Sequence, residues 1–254
     1  MARKEIMQKV AGYDEIIRDN TILEKYGFDY PARKGEVQKI IDSLHPQRLD
    51  LIVSEIREQT ASAKSFRLVS GNGALPPFQS GQYINVFLEA GGIRTSRPYS
   101  IASSPTQTGY YEITVRRVED GFVSNVLLDE LKPGDRLQAS SPAGNFHYNP
   151  LFHGNRLAFI AGGSGITPFM SMIREMADRN LDRRLHLFYG SRVEEDVIYR
   201  QEIERIAEAH KNFTWDLVVS EPDPSFSGCR GFIDANLIGK KLEGTDWTFF
   251  VCGP

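Results

Sequence analysis

Leu157-Ala158-Phe159-Ile160-Ala161-Gly162-Gly163-Ser164-Gly165-Ile166-Thr167-Pro168 decides how the second half of this chain folds. A continuous apolar run of this kind suits a parallel strand buried on both faces. The glycines end it, and Pro168 suits the first turn of a helix. A strand before and a helix after favour phosphate binding over an empty turn. Glycine lets the backbone approach a pyrophosphate, and the helix start supplies N–H donors and a positive dipole end. The spacing departs from G-x-G-x-x-G, and no P-loop lysine follows.

The same rhythm continues downstream. A helix is predicted over Thr167 to Arg179, a strand over Leu185 to Tyr189 and a helix over Val197 to Ala209. A strand over Trp215 to Val219, a short helix over Ile233 to Ile238 and a last strand over Thr248 to Cys252 complete a doubly wound α/β domain, residues 151–254. Such a domain rarely ends directly after a strand, so a chain that stops at Pro254 is expected to be a fragment of something longer.

Upstream, over residues 48–150, the pattern is that of strands. Leu49, Leu51, Val53 and Ile56 begin it. Ser65 to Val69, Tyr83 to Leu88, Tyr99 to Ile101, Tyr111 to Val115 and Arg136 to Ala139 follow. Turn residues separate them: Gly71-Asn72-Gly73, Ser80-Gly81, Gly91-Gly92 and Pro133-Gly134-Asp135. Six short strands spaced in this way predict a closed antiparallel barrel. Ser124 to Leu131 is the one helical interruption. Residues 1–47 read as a helical extension, with Ile6, Val10, Tyr13 and Ile17 in one stripe. Asp19-Asn20 and Gly27 punctuate it. Val37, Ile40, Ile41 and Leu44 form a second stripe before Pro46. Core packing is favoured over partner docking for these stripes.

The composition is ordinary for a globular protein of 254 residues, with 41% hydrophobic and 25% charged residues. A net charge of −3 provides no field for gripping nucleic acid. No apolar run is long enough to span a membrane, and Met1-Ala2-Arg3-Lys4-Glu5 leads into no secretory signal, so the expected location is the cytoplasm. Cys229 and Cys252 are expected to be reduced, and two cysteines cannot hold a Cys₄ iron–sulfur cluster. The five histidines show no metal-ligand spacing, so no metal is assigned.

Three further stretches carry possible chemistry. In Arg97-Pro98-Tyr99-Ser100, placed at the start of a strand, the guanidinium can clamp a pyrophosphate. The tyrosine ring can stack on a flat heterocycle, and the serine can hydrogen-bond a ring nitrogen. The residues alone leave this even with an exposed arginine beside a core tyrosine. Gly121-Phe122-Val123-Ser124 precedes a helix that Ser124 could cap, and by itself it is no more than that. Cys252 stands at the carboxyl end of a strand, where a lone cysteine is more often an inert small hydrophobe.

Taken in order, Arg97 to Ser103, Gly121 to Ser124, Ser141 to Phe146, Gly162 to Pro168, Phe188 to Arg192 and Val251-Cys252-Gly253-Pro254 are together specific. From about residue 48 to 254 the chain resembles the ferredoxin–NADP⁺ reductase superfamily, in particular the reductases that serve oxygenases and iron–sulfur acceptors. The resemblance implies a Greek-key barrel that binds FAD, followed by an α/β domain that binds NAD(P). It implies that Arg97, Pro98 and the Gly121–Ser124 turn hold the flavin pyrophosphate, with Val115 and Arg116 alongside. Tyr99 would lie against the isoalloxazine and Ser100 near its N5. Gly162, Gly163, Ser164, Gly165 and Thr167 would cradle the coenzyme pyrophosphate. Cys252, Gly253 and Pro254 would meet the nicotinamide, so Tyr99, Ser100 and Cys252 stand nearest the reaction. Ser191, Arg192, Ser220, Arg230 and Phe232 would meet the adenosine end. NADPH-specific relatives follow the serine with an arginine and later use a tyrosine. Here Ser220 precedes Glu221 and Phe232 replaces the tyrosine, which points to NADH.

The implied activity is hydride transfer from NAD(P)H to FAD, then single electrons to a [2Fe–2S] acceptor. That cluster would sit on a partner, an iron–sulfur protein or oxygenase component, or on a further domain of the chain. A regulatory electron-transfer subunit and a free-flavin reductase are the competing readings; a pyrophosphate grip favours FAD over a loosely bound flavin.

Overall fold

The computed structural model describes residues 13–26, 35, 39, 48–90 and 92–254. It divides into one unit over residues 1–46 and another over 47–254. In the first, α1 spans Tyr13–Tyr26. It runs through Asp19-Asn20, where the sequence suggested a break. These residues weaken a helix by only a few tenths of a kcal/mol each, and Thr21 Oγ1 donates to the Ile17 carbonyl at 2.8 Å within it. Ile17 is exposed. Ile6, Val10, Gly27 and the second stripe over 37–46 lie outside the described residues.

In the second unit, β1 (Leu49–Thr60), β2 (Ala63–Ser70), β3 (Tyr83–Ala90), β4 (Ile93–Ser100), β5 (Tyr111–Arg116) and β6 (Arg136–Ala139) form one antiparallel sheet, with α2 (Phe122–Asp129) inserted before β6. The strand order is β4-β3-β6-β1-β2-β5. An Ile101–Ile113 bridge and the Ala102 N–H donating to the Glu112 carbonyl at 2.7 Å join the two edges and close the barrel at that corner. β1 is longer than a short strand. A bulge between Val53 and Glu55 explains why the apolar residues Leu49, Leu51 and Val53 skip three places to Ile56: an extra residue re-aims the strand. Leu51, Val53, Phe66, Leu68, Ile84, Val86, Ile113 and Val115 fill the interior with almost no exposure. Each such side chain contributes about 1.5–3 kcal/mol by leaving water.

β4 corrects the sequence reading. The strand begins at Ile93, pairs with β3 through the Gly92 turn and ends at Ser100, so Arg97-Pro98-Tyr99-Ser100 is its exit rather than its start. The run Arg94-Thr95-Ser96-Arg97 hides a strand because an edge strand needs no alternating apolar face. Pro98 is tolerated there. Its partner Asn85 directs its N–H and carbonyl to Ser140 on the other side, so the missing N–H of Pro98 faces outward from the sheet.

The remaining strands are β7 (Arg156–Gly162), β8 (Arg184–Ser191), β9 (Phe213–Val219), β10 (Cys229–Arg230) and β11 (Thr248–Cys252). They form a parallel sheet ordered β10-β9-β8-β7-β11. Three helices flank them: α3 (Ile166–Arg179), α4 (Arg200–Ala209) and α5 (Ala235–Lys241). Phe159 of β7 stacks on Phe169 of α3 at 4.6 Å, inside a core with Ile166, Met170, Ile173 and Met176. Two helices start later than their apolar patterns suggest. Tyr199 (φ +61°) caps α4, and the Asp234 side chain caps α5 by accepting the Leu237 N–H at 2.7 Å. Among the described residues, no helix is long and apolar enough to cross a membrane.

Candidate functional site

The carboxyl ends of β7, β8, β9 and β11 open into a cavity of about 400 Å³. The strand order reverses between β7 and β11, and in open α/β sheets ligands bind at that crevice. The cavity brings together Arg116, Gly162, Gly163, Ser191, Arg192, Ser220, Phe232, Cys252, Gly253 and Pro254, all picked out from the sequence.

Ser164, Gly165 and Thr167 stand behind that wall. The Gly-rich segment forms a single 3₁₀ turn (Gly163–Gly165) before α3, and Thr167 Oγ1 closes it by donating to the Ser164 carbonyl at 2.7 Å. The structure supplies packing reasons for two of the glycines. A Cβ on Gly165 would lie 2.1 Å from the Cys252 carbonyl oxygen. Gly163 has φ +51°, and a Cβ there would lie 2.4 Å from an Arg116 Nη1. The turn is thus wedged between the end of β11 and the end of β5.

Arg116 is held in that wedge by Asp196, at 2.9 Å, and Ser62 Oγ donates to the other oxygen of Asp196 at 3.1 Å. Tyr189, buried on β8, donates to the Gly163 carbonyl at 3.0 Å and accepts the Ile198 N–H at 3.1 Å. Burial pushes its phenol far above the ordinary range, so it stays a neutral donor. Neither Asp196 nor Tyr189 was identified as a site residue from the sequence. Gly190 and Gly231, which also line the cavity, were missed too. Tyr189 and Gly190 lie inside the Phe188 to Arg192 stretch that carried the resemblance but were given no role, and Gly231 follows the two-residue β10, which the sequence reading did not contain.

Cys252 is free and half-buried, and burial pushes its thiol up. Its alkylation by iodoacetamide is therefore expected to be slow near neutral pH. It should accelerate only above the range of an ordinary thiol, about 8.5. Mass-spectrometric rates across pH test this; a rate at neutral pH equal to that of free cysteine would refute it.

Two residues are placed differently from their sequence reading. Arg230 Nη2 donates to the carbonyls of Pro224 and Phe226, at 2.9 and 2.7 Å. Its guanidinium therefore braces its own loop rather than the cavity. Ser124 is no N-cap: Gly121 holds that position without a side-chain bond. Ser124 lies inside α2, accepting the Val118 N–H at 3.3 Å.

The first-half residues gather at the end of β4 and the start of α2. Arg97 is exposed, with Nη1 on Thr95 Oγ1 at 3.0 Å and on the Ser96 carbonyl at 2.8 Å. Tyr99 packs partly into the barrel core, and burial pushes its phenol up to about 12. Pro98 is exposed and Ser100 half-buried beside it. Val115 points into the barrel core, fully buried, and Val123 is buried with it, while Phe122 is exposed. An exposed cation, a helix start with no side-chain cap and a half-buried aromatic ring make a donor set that fits an anionic pyrophosphate joined to a flat ring.

Comparison with known proteins agrees with both halves. Residues 50–148 match the family described as "Oxidoreductase FAD-binding domain". Residues 159–254 match the "Oxidoreductase NAD-binding domain". The chain is 35% identical to ferredoxin–NADP reductase B of Sorangium cellulosum, over 74% of this chain and 78% of that one. It is 31% identical to the glycine betaine monooxygenase reductase subunit of Pseudomonas aeruginosa, over 79% of this chain but only 55% of that one. The chain thus spans about half the length of this oxygenase-reductase relative. Among solved structures, phthalate dioxygenase reductase, described as modular for electron transfer from pyridine nucleotides to [2Fe-2S], superposes with a TM-score of 0.67. It shares 25% identity, over 82% of this chain and 60% of that one.

Proposed function

The chain belongs to the ferredoxin–NADP reductase-like family of FAD- and NAD(P)-binding oxidoreductases, and from that premise we propose that it takes hydride from NADH onto FAD and passes single electrons to an iron–sulfur acceptor. One observation supports this best: Arg116 of the barrel sheet and the Gly163 turn of the parallel sheet meet in the wall of one cavity. A group bound along the barrel edge and a group bound over the strand ends would therefore be neighbours.

In this reading Arg97 and the N–H groups at the start of α2 hold the flavin pyrophosphate, and Tyr99 presents its ring to the isoalloxazine. Ser100 offers a hydrogen bond near N5. The Gly162–Gly165 turn holds the coenzyme pyrophosphate, Cys252, Gly253 and Pro254 floor the nicotinamide end, and Arg116 stands beside the flavin phosphates where the two sites meet. Bound FAD supplies the chemistry that couples a two-electron donor to a one-electron acceptor. The protein needs no nucleophile; it orients, neutralises phosphate charge and excludes water. The acceptor class rests on relatives named as oxygenase reductase subunits and on the superposing reductase, described as transferring electrons from pyridine nucleotides to [2Fe-2S].

The coenzyme preference rests on Glu221. Its carboxylate sits 3.7 Å from Arg192 at the cavity rim, next to Ser220. It occupies the nearest cation and repels a 2′-phosphate. Glu221→Arg is expected to raise the kcat/KM ratio of NADPH to NADH about tenfold, roughly 1.4 kcal/mol of differential binding. Steady-state kinetics with both coenzymes check it, and an unchanged ratio removes the argument.

The parent test is the visible spectrum of the purified protein, followed by anaerobic addition of NADH and NADPH separately. Flavin bands that bleach within seconds support the reductase. A protein that takes up no FAD, or a flavin that neither coenzyme bleaches, overturns it.

A further inference from the structure

Helix α3 carries a polar stripe that the site does not use. Ser171, Arg174, Glu175 and Asp178 recur at three- and four-residue spacing, so they share one face. Each reaches the barrel half of the chain. Ser171 Oγ donates to the Ser103 carbonyl at 2.7 Å. Glu175 accepts from Ser80 and Asp178 from Thr106, both at 2.6 Å.

Arg174 is the centre of the stripe. Its Nη1 donates to Glu112 of β5 at 2.7 Å and to the Ala102 carbonyl at 2.8 Å. Nε and Nη2 form a fork on Glu202 of α4, at 2.8 and 2.7 Å. Glu112 is 2% exposed. It also accepts from the Tyr199 hydroxyl at 3.1 Å and faces Arg67 Nε at 3.4 Å. Tyr199 in turn bonds Thr114 of β5. Burial disfavours the Arg174 charge, yet the Glu202 hydrogen bonds and the Glu112 charge outweigh it and hold the guanidinium above its ordinary range.

The two elements joined here are the two that meet at the cavity. β5 runs from Glu112 to Arg116, about 13 Å along the strand. α3 runs back from Arg174 to its start beside the Gly163 turn, about 12 Å along the helix. A strand and a helix thus leave one buried ion-pair cluster and converge again where Arg116 touches Gly163. A buried ion pair adds little net stability, because desolvation offsets attraction; its best-attested use is to select one arrangement.

We propose that Arg174, with Glu112, is a positioning residue for hydride transfer: it sets the placement of the parallel sheet against the barrel, and thereby the distance between nicotinamide and flavin. This deepens the proposed function and rests on it. Transfer needs reacting atoms about 3–3.5 Å apart, and a shift of about 1 Å costs on the order of a hundredfold. The clamp touches neither group, so its loss should lower the rate of transfer without weakening either binding site.

The test compares wild type, Arg174→Lys, Arg174→Met and the double variant Glu112→Gln/Arg174→Met by anaerobic stopped-flow reduction with NADH. Thermal midpoint, FAD content and NAD⁺ dissociation constant are measured in parallel. The double variant leaves no orphaned Glu112 charge and is the one expected to fold like wild type. The limiting rate of flavin bleaching should fall at least tenfold in it and in Arg174→Met, with FAD content and NAD⁺ affinity within twofold. Arg174→Lys should recover part of the rate. A double variant that bleaches as fast as wild type overturns the clamp alone. A wild-type flavin that NADH does not bleach overturns the parent reading and the clamp with it.

Discussion

Arg97→Ala is expected to give a folded protein that binds FAD on the order of 100-fold more weakly, so that it is purified largely colourless. Arg97 lies exposed on the edge strand β4, and its guanidinium bonds Thr95 and the Ser96 carbonyl, both on its own strand. Truncation leaves no buried group without a partner, so the thermal midpoint of the flavin-free protein should move by no more than about 0.5 kcal/mol of stability. The flavin pyrophosphate would lose a forked, charge-assisted contact worth about 1.5–3 kcal/mol. Arg97→Lys should recover only part of it, because an ammonium is a point charge and not a fork. Flavin fluorescence titration and absorbance after desalting measure both variants. If Arg97→Ala retains one FAD per chain through desalting, Arg97 does not hold the pyrophosphate.

Gly165→Val should be the more damaging change, and it should spare the flavin. A Cβ at this position would lie 2.1 and 2.5 Å from the carbonyl oxygen and carbon of Cys252, and 2.8 Å from the Gly253 Cα. All three are backbone atoms of the last strand and its exit, which no rotamer change can move aside. The turn must separate from β11, at about 3 kcal/mol of stability. The floor and the wall of the cavity then part. NADH-driven bleaching should fall by more than about 100-fold, while FAD content stays near wild type because β4 and α2 are untouched. Gly190→Ala is the control in the same cavity: its Cβ would meet only the Ile233 Cδ1 at 3.4 Å and the Ala161 carbonyl at 3.5 Å, which is ordinary contact. Differential scanning fluorimetry with stopped-flow reduction distinguishes the two. A Gly165→Val protein that NADH bleaches at the wild-type rate would refute the account.

The parts legible in the sequence are those that local chemistry encodes. The run Leu157 to Ala161 followed by glycines declares a buried strand and a tight turn, and both are found. Leu49, Leu51 and Val53 declare one face of a strand. The start of β4 was not legible, because Arg94 to Arg97 are polar and an edge strand is selected by its partner rather than by its own periodicity. The start of α4 was hidden because Tyr199 adopts a left-handed conformation to reach Glu112 and Thr114, residues more than eighty positions away. Asp196, Tyr189 and Arg174 share that difficulty. Each works through a partner distant in sequence, and a lone Asp, Tyr or Arg on a helix or strand carries no local signal of it. The orientation of Arg230 toward its own loop depends on carbonyls that a one-dimensional motif cannot register.

Pro98 has a consequence beyond ligand binding. A barrel closed at one corner leaves β4 as an open edge, and a bare strand edge is a template on which further chains can polymerise. Because Asn85 turns its hydrogen-bonding groups away, the backbone nitrogen of Pro98 faces the position an incoming strand would occupy, and it has no proton to offer. Arg94 and Arg97, both exposed on the same strand, add charge to that margin. The four-residue stretch proposed to hold flavin would therefore also make this edge a poor template for strand addition, whether or not flavin is bound.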